Sequence, residues 1–208
     1  MIEHLPKESL KYEPAFMVAM QKALIDANPV LRQSAAYTMG MAGKVGGEGY
    51  AKQAIASLQQ LIQIVQHPEA RADENVFATE NALAAIGKIC RAHGALFDAS
   101  QVLSLWFNAL PIVEDDQEFG DTYNYLIDLI EGNHSSVTLN NPQNLGKAVD
   151  VLTQVLVNPG TKEQEALVQR ILTTLRTVLS QCDETTRTGL WNTLPQDRLK
   201  MLAAKGYF

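Results

Sequence analysis

The chain has 208 residues, of which 46% are hydrophobic and 19% are charged, and its formal net charge is −6. This composition is typical of a globular protein with a sizeable core and excludes an intrinsically disordered chain. No segment approaches the roughly 20 apolar residues of a membrane-spanning helix, so we expect no association with a membrane. Residues Met1 to Glu13 mix acidic and basic side chains and therefore do not resemble a signal peptide.

The negative charge is concentrated in the middle of the chain. Between Arg91 and Lys147 there are eight Asp and Glu residues and no Lys or Arg, so this stretch carries −8 and the remainder +2. Nucleic-acid binding requires a basic surface, so direct contact with nucleic acid is not expected. An acidic region instead favours a basic partner, because electrostatic attraction speeds the encounter.

Hydrophobic residues recur at helical spacing along almost the whole chain, with short breaks between the segments. A first apolar stripe runs from Pro14 to Leu24 and ends near Asn28-Pro29. The helices predicted after it cover residues 30–41, 50–65, 74–93, 100–110, 116–131, 144–157, 161–182, 184–193 and 196–205. The glycine cluster at 43–49 is expected to end the second helix, and residues 135–139 are predicted to form a loop rather than a strand.

Two of the predicted helices resemble each other at an offset of 47 residues. Asn28 to Gly40 aligns with Asn75 to Gly87, with asparagine first, alanines in the middle and glycine at the end. Small side chains let one helix pack closely against the next repeat, and the asparagine can cap the helix start. Two alanine-rich helices could also align by chance, but helix pairs at intervals of about 40 to 47 residues are typical of HEAT or armadillo arrays.

We therefore predict an all-α fold, a right-handed HEAT-repeat α-solenoid of about four helix pairs and a terminal helical cap. The prediction is one array over residues 1–208. Its approximate repeats are 8–42, 50–94, 100–132 and 144–182, and its C-terminal cap is 184–208.

Signals of catalysis are weak in this sequence. The glycine-rich segment 43–49 lacks the spacing of a phosphate-binding loop, and no strand precedes it. Cys90 and His93 could form a thiolate pair, but their helical context favours a packed cysteine beside an exposed histidine. No pair of His or Cys residues has metal-ligand spacing. We expect no enzyme activity, no cofactor and no metal, and we expect Cys90 and Cys182 to be buried reduced thiols.

The best candidate for a binding surface is the acidic region 114–131. In the predicted helix 116–131, apolar residues form one face, and another face carries a polar stripe of Gln117, Asp121, Asn124, Asp128 and Glu131. A simple solvated helix face is one alternative, and part of the cluster could serve only to stabilise the helix N-terminus through the macrodipole. The missing Lys and Arg favour a binding role, because ordinary solvated faces mix both signs of charge.

Several of these segments are similar, in order, to those of one known family. The segment NPVLRQSAAY at 28–37 resembles the D/N-P-x-V-R-Q-A-A-A-Y helix of karyopherin-β transport receptors. The segment ENVFATENALAAIGKI at 74–89 is similar to one near the C-terminus of the importin five branch of that family. The resemblance continues through Trp106, the acidic run 114–116, and residues 123–131, 140–145 and 194–195.

This resemblance implies the C-terminal fifth or so of a nuclear import receptor of the importin-β superfamily. Such receptors carry basic cargo proteins, such as ribosomal proteins and histones, through the nuclear pore and release them on binding Ran-GTP. Ran-GTP and nucleoporins would be bound through the full-length receptor, which moves between cytoplasm and nucleus.

The second helix of each pair lines the inner surface in this family, which implies a cargo-facing acidic surface. Its candidate residues are Glu114, Asp115, Asp116, Glu118, Asp121, Asn124, Asp128 and Glu131, with Glu80 and Asn81 on the neighbouring repeat. Two alternatives stay open: a segment that only caps the solenoid, and a HEAT scaffold subunit of another assembly, such as a phosphatase.

Overall fold

The computed structural model describes residues 13–208, with side chains from residue 15 onward. The predicted start of the first repeat, at residue 8, and the charged segment that begins at Met1 lie outside the described residues. The part of the chain that is described contains ten α-helices and no strand, which confirms the all-α prediction. None of these helices is both long and apolar enough to cross a membrane.

The helices follow one another with short connections. Their bounds are α1 Glu13–Ala23, α2 Pro29–Val45, α3 Glu48–Val65, α4 Val76–His93, α5 Ser100–Ala109, α6 Phe119–Glu131, α7 Pro142–Val157, α8 Glu165–Ser180, α9 Glu184–Thr193 and α10 Gln196–Ala204. Short 3-10 turns occupy Asp116–Glu118, Ser135–Val137 and Pro159–Thr161. The helices predicted to begin at residues 116 and 161 begin a few residues later in the structure, at Phe119 and Glu165. The prediction that residues 135–139 form no strand is confirmed.

The described chain forms two compact units that meet in sequence between Thr122 and Tyr123. In the first unit, α4 packs against α2, α3 and α5, and α2 also packs against α1 and α3. Helix α4 is buried on every side from Ala78 to Cys90, so it forms the centre of this unit. In the second unit, α7 packs against α8 and α10.

Glycines allow α2 and α4 to approach each other closely. A Cβ on Gly40 would lie 2.9 Å from Cα of Ala85, and a Cβ on Gly43 would lie 2.7 Å from Cγ1 of Ile89. Gly43 therefore lies inside α2. The glycine cluster does end this helix, with Gly46 as its C-cap, but the end at Val45 is four residues later than the predicted Met41. The glycines at 40 and 43 cost backbone entropy, but they make room for the neighbouring helix.

Only one of the two predicted asparagine caps forms. The side chain of Asn28 accepts a hydrogen bond from the Val30 backbone N–H at 2.9 Å, as expected for a helix start. The side chain of Asn75 makes no such bond to α4. It instead accepts from the Arg32 guanidinium and donates to the Glu69 carbonyl at 3.1 Å, so it joins neighbouring elements.

The cysteines differ in their surroundings. Cys90 lies in the core of the first unit, and burial raises the pKa of its thiol to about 12, so a thiolate is strongly disfavoured. His93 is buried as well, so the expectation that it is exposed was wrong. Both thiols are free as predicted, but Cys182 is only half-buried.

Candidate acidic binding surface

The acidic loop, defined as residues 113–118, is held in place by a carboxylate inside α4. The Glu80 carboxylate accepts hydrogen bonds from the backbone N–H groups of Val113 at 2.8 Å, Glu114 at 2.9 Å and Asp115 at 2.8 Å. The Glu80 side chain is fully buried. Because three consecutive backbone groups converge on one carboxylate, the conformation of the loop is determined by α4.

Two further side chains complete this arrangement, which we call the Glu80 clamp. Arg71 lies 3.3 Å from the Glu80 carboxylate and donates to the Ala109 and Pro111 carbonyls at 2.6 and 3.0 Å. Asn81 donates from Nδ2 to the Asp115 carboxylate at 2.7 Å. The clamp therefore consists of Arg71, Glu80 and Asn81, and it ties the chain on both sides of the loop start.

The clamp keeps a carboxyl group in an environment that disfavours its charge. Burial raises the pKa of Glu80 above its ordinary value, while the three backbone N–H groups and Arg71 oppose that rise. Glu80 and the largely buried Asn81 consequently offer little surface to another molecule. Their place is beneath the loop, where they position its exposed residues.

Glu118, at the end of the loop, forms a buried ion pair with Lys88 of α4. The Lys88 Nζ atom lies 2.5 Å from Oε2 of Glu118, and the two side chains are only 5% and 4% exposed. Burial raises the pKa of Glu118, and the charge of Lys88 opposes this. Glu118 is therefore inaccessible to a partner in this structure.

Asp121, on the first turn of α6, belongs to the first unit and is neutralised by lysines of the same unit. The Lys44 ammonium, on α2, donates to both of its carboxylate oxygens at 2.8 and 2.7 Å. Lys88 adds a weaker contact at 3.7 Å. The Lys44–Asp121 pair is partly exposed, so water and salt screen it.

In the second unit, one arginine gathers the remaining polar residues of the stripe. The Arg170 guanidinium, on α8, donates to the Asn124 amide oxygen at 2.8 Å, to Asp128 at 2.6 Å and to Glu131 at 3.0 Å. The hydrogen bond to Asp128 is the main reason why the pKa of Arg170 is raised. The three side chains follow each other on one face of α6, so a single planar guanidinium reaches all of them.

The expectation that the acidic region lacks counter-charge was therefore wrong. Lys44 and Lys88 precede the region in sequence and Arg170 follows it, but each contacts its carboxylates in space. The predicted residues separate into three groups. The buried group contains Glu80, Asn81 and Glu118. The group bound to Lys44 or Arg170 contains Asp121, Asn124, Asp128 and Glu131. The third group lies on the loop and contains the exposed Glu114 and Asp116 and the half-buried Asp115.

Sequence reasoning missed these basic partners, although their spacing carries a signal. Arg170 is 46, 42 and 39 residues from Asn124, Asp128 and Glu131. Arg32 is 43 residues from Asn75, and Arg198 is 48 residues from Asp150, to which it donates at 2.6 Å. These separations are close to one repeat length, so pairing polar residues at that offset would have found them. The separation of 77 residues between Lys44 and Asp121 would not have been found in this way.

Within the described residues, no group of three or more His, Cys, Asp or Glu side chains could hold a metal ion. In the first unit, the exposed carboxylates of Glu114 and Asp116 lie on the acidic loop. In the second unit, the carboxylates of Asp128 and Glu131 lie on α6 beside Arg170. Exposed carboxylates can attract and orient a cationic partner.

Comparison with known proteins relates both sequence and fold to one group. No family model matches the chain. The sequence is 28% identical over 198 residues to importin subunit beta-3 of Saccharomyces cerevisiae, a match that covers 95% of this chain and 18% of that protein.

Solved structures of a karyopherin share the fold of this chain. The karyopherin Kap121p bound to the SUMO protease Ulp1p superposes with a TM-score of 0.80 at 25% identity, over 100% of this chain and 18% of that one. Kap121p bound to RanGTP superposes with a TM-score of 0.79 at 24% identity, over 97% of this chain and 18% of that one. The chain thus spans about a fifth of the length of these relatives. It is related in sequence and in HEAT-repeat fold to the karyopherin-β transport receptors, as the ordered motifs predicted.

Proposed function

We propose that this chain is part of a nuclear transport receptor and that its acidic loop contacts basic cargo proteins. The observation that carries the proposal is the Glu80 clamp, which holds Glu114 and Asp116 exposed on a loop of determined conformation. A preorganised loop loses little conformational entropy when a partner binds. Relatives of the chain support the receptor role, since Kap121p has been solved bound to RanGTP, to Ste12p and to Nup53p.

The rest of the proposal concerns the full-length receptor. Ran-GTP and nucleoporins would be bound by the receptor as a whole, which moves between cytoplasm and nucleus through the nuclear pore. Cargo would be recognised by its basic character, with ribosomal proteins and histones as examples. A receptor of this kind binds and releases proteins, and it has no reaction to catalyse.

The carboxylates of α6 are expected to contribute less than the acidic loop. A cationic cargo side chain must displace Arg170 from Asp128 and Glu131 before it can bind there. Arg170→Gln should therefore strengthen the binding of a basic peptide at low salt, whereas Arg176→Gln, which removes an exposed arginine of the same helix, should have little effect. Equal affinities of the two variants would assign α6 no part in binding.

The main experiment measures the affinity of the chain for a short fluorescein-labelled peptide rich in lysine and arginine, by fluorescence anisotropy. Glu114→Gln combined with Asp116→Gln removes the two exposed carboxylates of the loop. We expect affinity to fall about fivefold at low salt, because each exposed ion pair contributes less than about 1 kcal/mol. The difference should shrink as salt is added.

The matched control removes two exposed carboxylates from the second unit, with Glu163→Gln and Glu165→Gln. It changes the net charge of the chain equally, so it should leave affinity nearly unchanged if the loop is the binding site. A similar loss of affinity in both variants would show that only total charge matters. The proposal for the loop should then be abandoned.

A second candidate function is structural, and the internal bonding of the acidic residues favours it. Seven of the ten predicted residues are buried or bound to a basic side chain, so their contacts within the chain give them a structural role that needs no cargo. In this case a full-length receptor carrying Glu114→Gln and Asp116→Gln would bind its cargo normally. A receptor without the segment would also keep its cargo affinity.

A further inference from the structure

A small pocket opens in the first unit where the last turns of α2 and α4 approach the first turn of α6. Its volume is about 290 Å³, near the lower end of the range for ligand sites. It is lined by Lys44, Gly87, Lys88, Arg91, Ala92 and Asp121, all of which belong to the first unit. Three of these six residues are cationic and one is acidic, so the pocket is opposite in sign to the acidic loop.

Helix α4 provides two of the three cations and the space between them. Lys88 and Arg91 are three residues apart, so their side chains leave the helix on the same side. Gly87 and Ala92, which also line the pocket, carry little or no side chain and leave room for a ligand beside these cations. Arg91 is exposed, so its guanidinium is accessible from the solvent.

The Lys88 ammonium is fixed at the inner side of the pocket. Its Nζ atom lies 2.5 Å from Oε2 of Glu118, 3.7 Å from Oδ2 of Asp121 and 5.4 Å from the centre of the Tyr37 ring. Because these contacts hold the lysine in one position, its charge is already in place before a ligand arrives. An anion that enters the pocket therefore does not have to order this side chain.

The Lys44 ammonium faces the pocket from α2 and is only partly occupied by Asp121. It donates one hydrogen bond to each oxygen of that carboxylate, whereas an ammonium group has three N–H donors. The pair is partly exposed, and an exposed ion pair contributes less than about 1 kcal/mol. Lys44 can therefore turn toward a ligand at little cost, and Asp121 competes with that ligand for the same ammonium.

We propose that this pocket binds a phosphate group in its dianionic form. The Arg91 guanidinium and the Lys44 ammonium contact the phosphate oxygens, and Lys88 supplies a buried positive charge. A carboxylate ligand would bring only one charge against Asp121, whereas a phosphate group brings up to about two and has more acceptor oxygens. A phosphorylated side chain of a partner and free phosphate share this chemistry. The ligand is opposite in charge to the basic cargo proposed for the acidic loop, so either proposal can fail without the other.

The test titrates the whole chain, labelled with ¹⁵N and kept in a phosphate-free buffer, with two probes. One is a short capped peptide with phosphoserine between alanines, and the other is inorganic phosphate. Backbone amide shifts should change at residues 44, 87–92 and 121, and the same peptide with unmodified serine should leave them unchanged. Tighter binding of the phosphopeptide would assign the site to a phosphorylated side chain, and equal binding would assign it to free phosphate. If neither probe moved these amides, the proposal would be overturned.

Variants with opposite expected effects separate the pocket from nonspecific attraction of anions. Lys44→Gln with Arg91→Gln should weaken phosphopeptide binding about fivefold. The matched control, Lys162→Gln with Arg187→Gln, removes two exposed cations from the second unit and should leave binding nearly unchanged. Asp121→Asn removes the competing carboxylate and should strengthen binding about threefold, a gain that a purely structural role of Lys44 would not produce. Equal losses in the two double variants, or no gain with Asp121→Asn, would refute the proposal.

Discussion

Replacing Lys88 by methionine should destabilise the first unit strongly, because it leaves Glu118 buried without its partner. The two side chains are 5% and 4% exposed and lie 2.5 Å apart, so water cannot take the place of the ammonium group. Breaking a buried ion pair from one side costs about 3 to 5 kcal/mol. We expect the free energy of unfolding to fall by about 3 kcal/mol at neutral pH, the lower end of that range. The loss is limited because Glu118 can take up a proton and so avoid a buried, unpaired charge.

The pH dependence of the stability follows from the direction in which the pKa of Glu118 is shifted. Burial raises the folded-state pKa of Glu118 above the ordinary value of a glutamate carboxyl, 4.5. The folded chain therefore holds this proton more tightly than the unfolded chain, and the related stability is lost as pH rises from about 4.5 through the folded-state pKa. Without Lys88 the shift should increase, so the stability deficit of the variant should shrink as pH falls.

The assay is urea unfolding followed by tryptophan fluorescence in a Trp191→Phe background, so that the signal comes from Trp106 in the core of the first unit. The double variant Lys88→Met with Glu118→Leu replaces the pair by apolar side chains of similar size. It should recover most of the lost free energy of unfolding, since such replacements are often neutral or stabilising. A double variant as unstable as the single one, or a single variant within about 0.5 kcal/mol of the parent, would refute the reasoning.

Three further outcomes are expected. Glu80→Ala should speed hydrogen exchange of the 113–115 amides and lower the free energy of unfolding by about 2 to 4 kcal/mol. Glu80→Gln keeps one acceptor oxygen and should have a smaller effect, so equal exchange rates in the two variants would argue against the clamp. In thermal unfolding, Gly40→Ala should lower the free energy of unfolding by about 2 kcal/mol, because the new methyl group would meet α4. Gly120→Ala has open space around it and should not destabilise the chain. If Gly120→Ala were the more destabilising change, the packing of α2 on α4 would be contradicted. Cys90 should resist iodoacetamide at pH 8 in the folded chain, because burial raises the pKa of its thiol to about 12. The half-buried Cys182 should react, and mass spectrometry would show which cysteine carries the label.

The helices and their repeat could be predicted from local patterns. Helical spacing of apolar residues depends only on neighbours within a few turns, so most helix positions were correct. Errors arose where tertiary packing decided the outcome. Gly43 is a helix breaker in isolation, but α2 continues to Val45 because α4 packs against that glycine. Asn75 was expected to cap α4, but Arg32 binds its side chain from α2.

The candidate surface was predictable in part. The acidic loop could be found from charge alone, and its residues Glu114 and Asp116 are exposed. Charge counting along the chain could not show that Lys44 and Arg170 bind the carboxylates of α6. The exposure of Glu80 was also misjudged, because a glutamate usually lies on the surface unless a partner holds it.

The sequence by itself determined the helical class, the repeat offset between Asn28 and Asn75, and the relation to karyopherin-β receptors. These features depend on local periodicity and on motif order, which a linear chain displays directly. Only the tertiary structure decided which carboxylates remain accessible. Ion pairs and hydrogen bonds act between groups a few ångströms apart in space, and folding places residues dozens of positions apart within that distance.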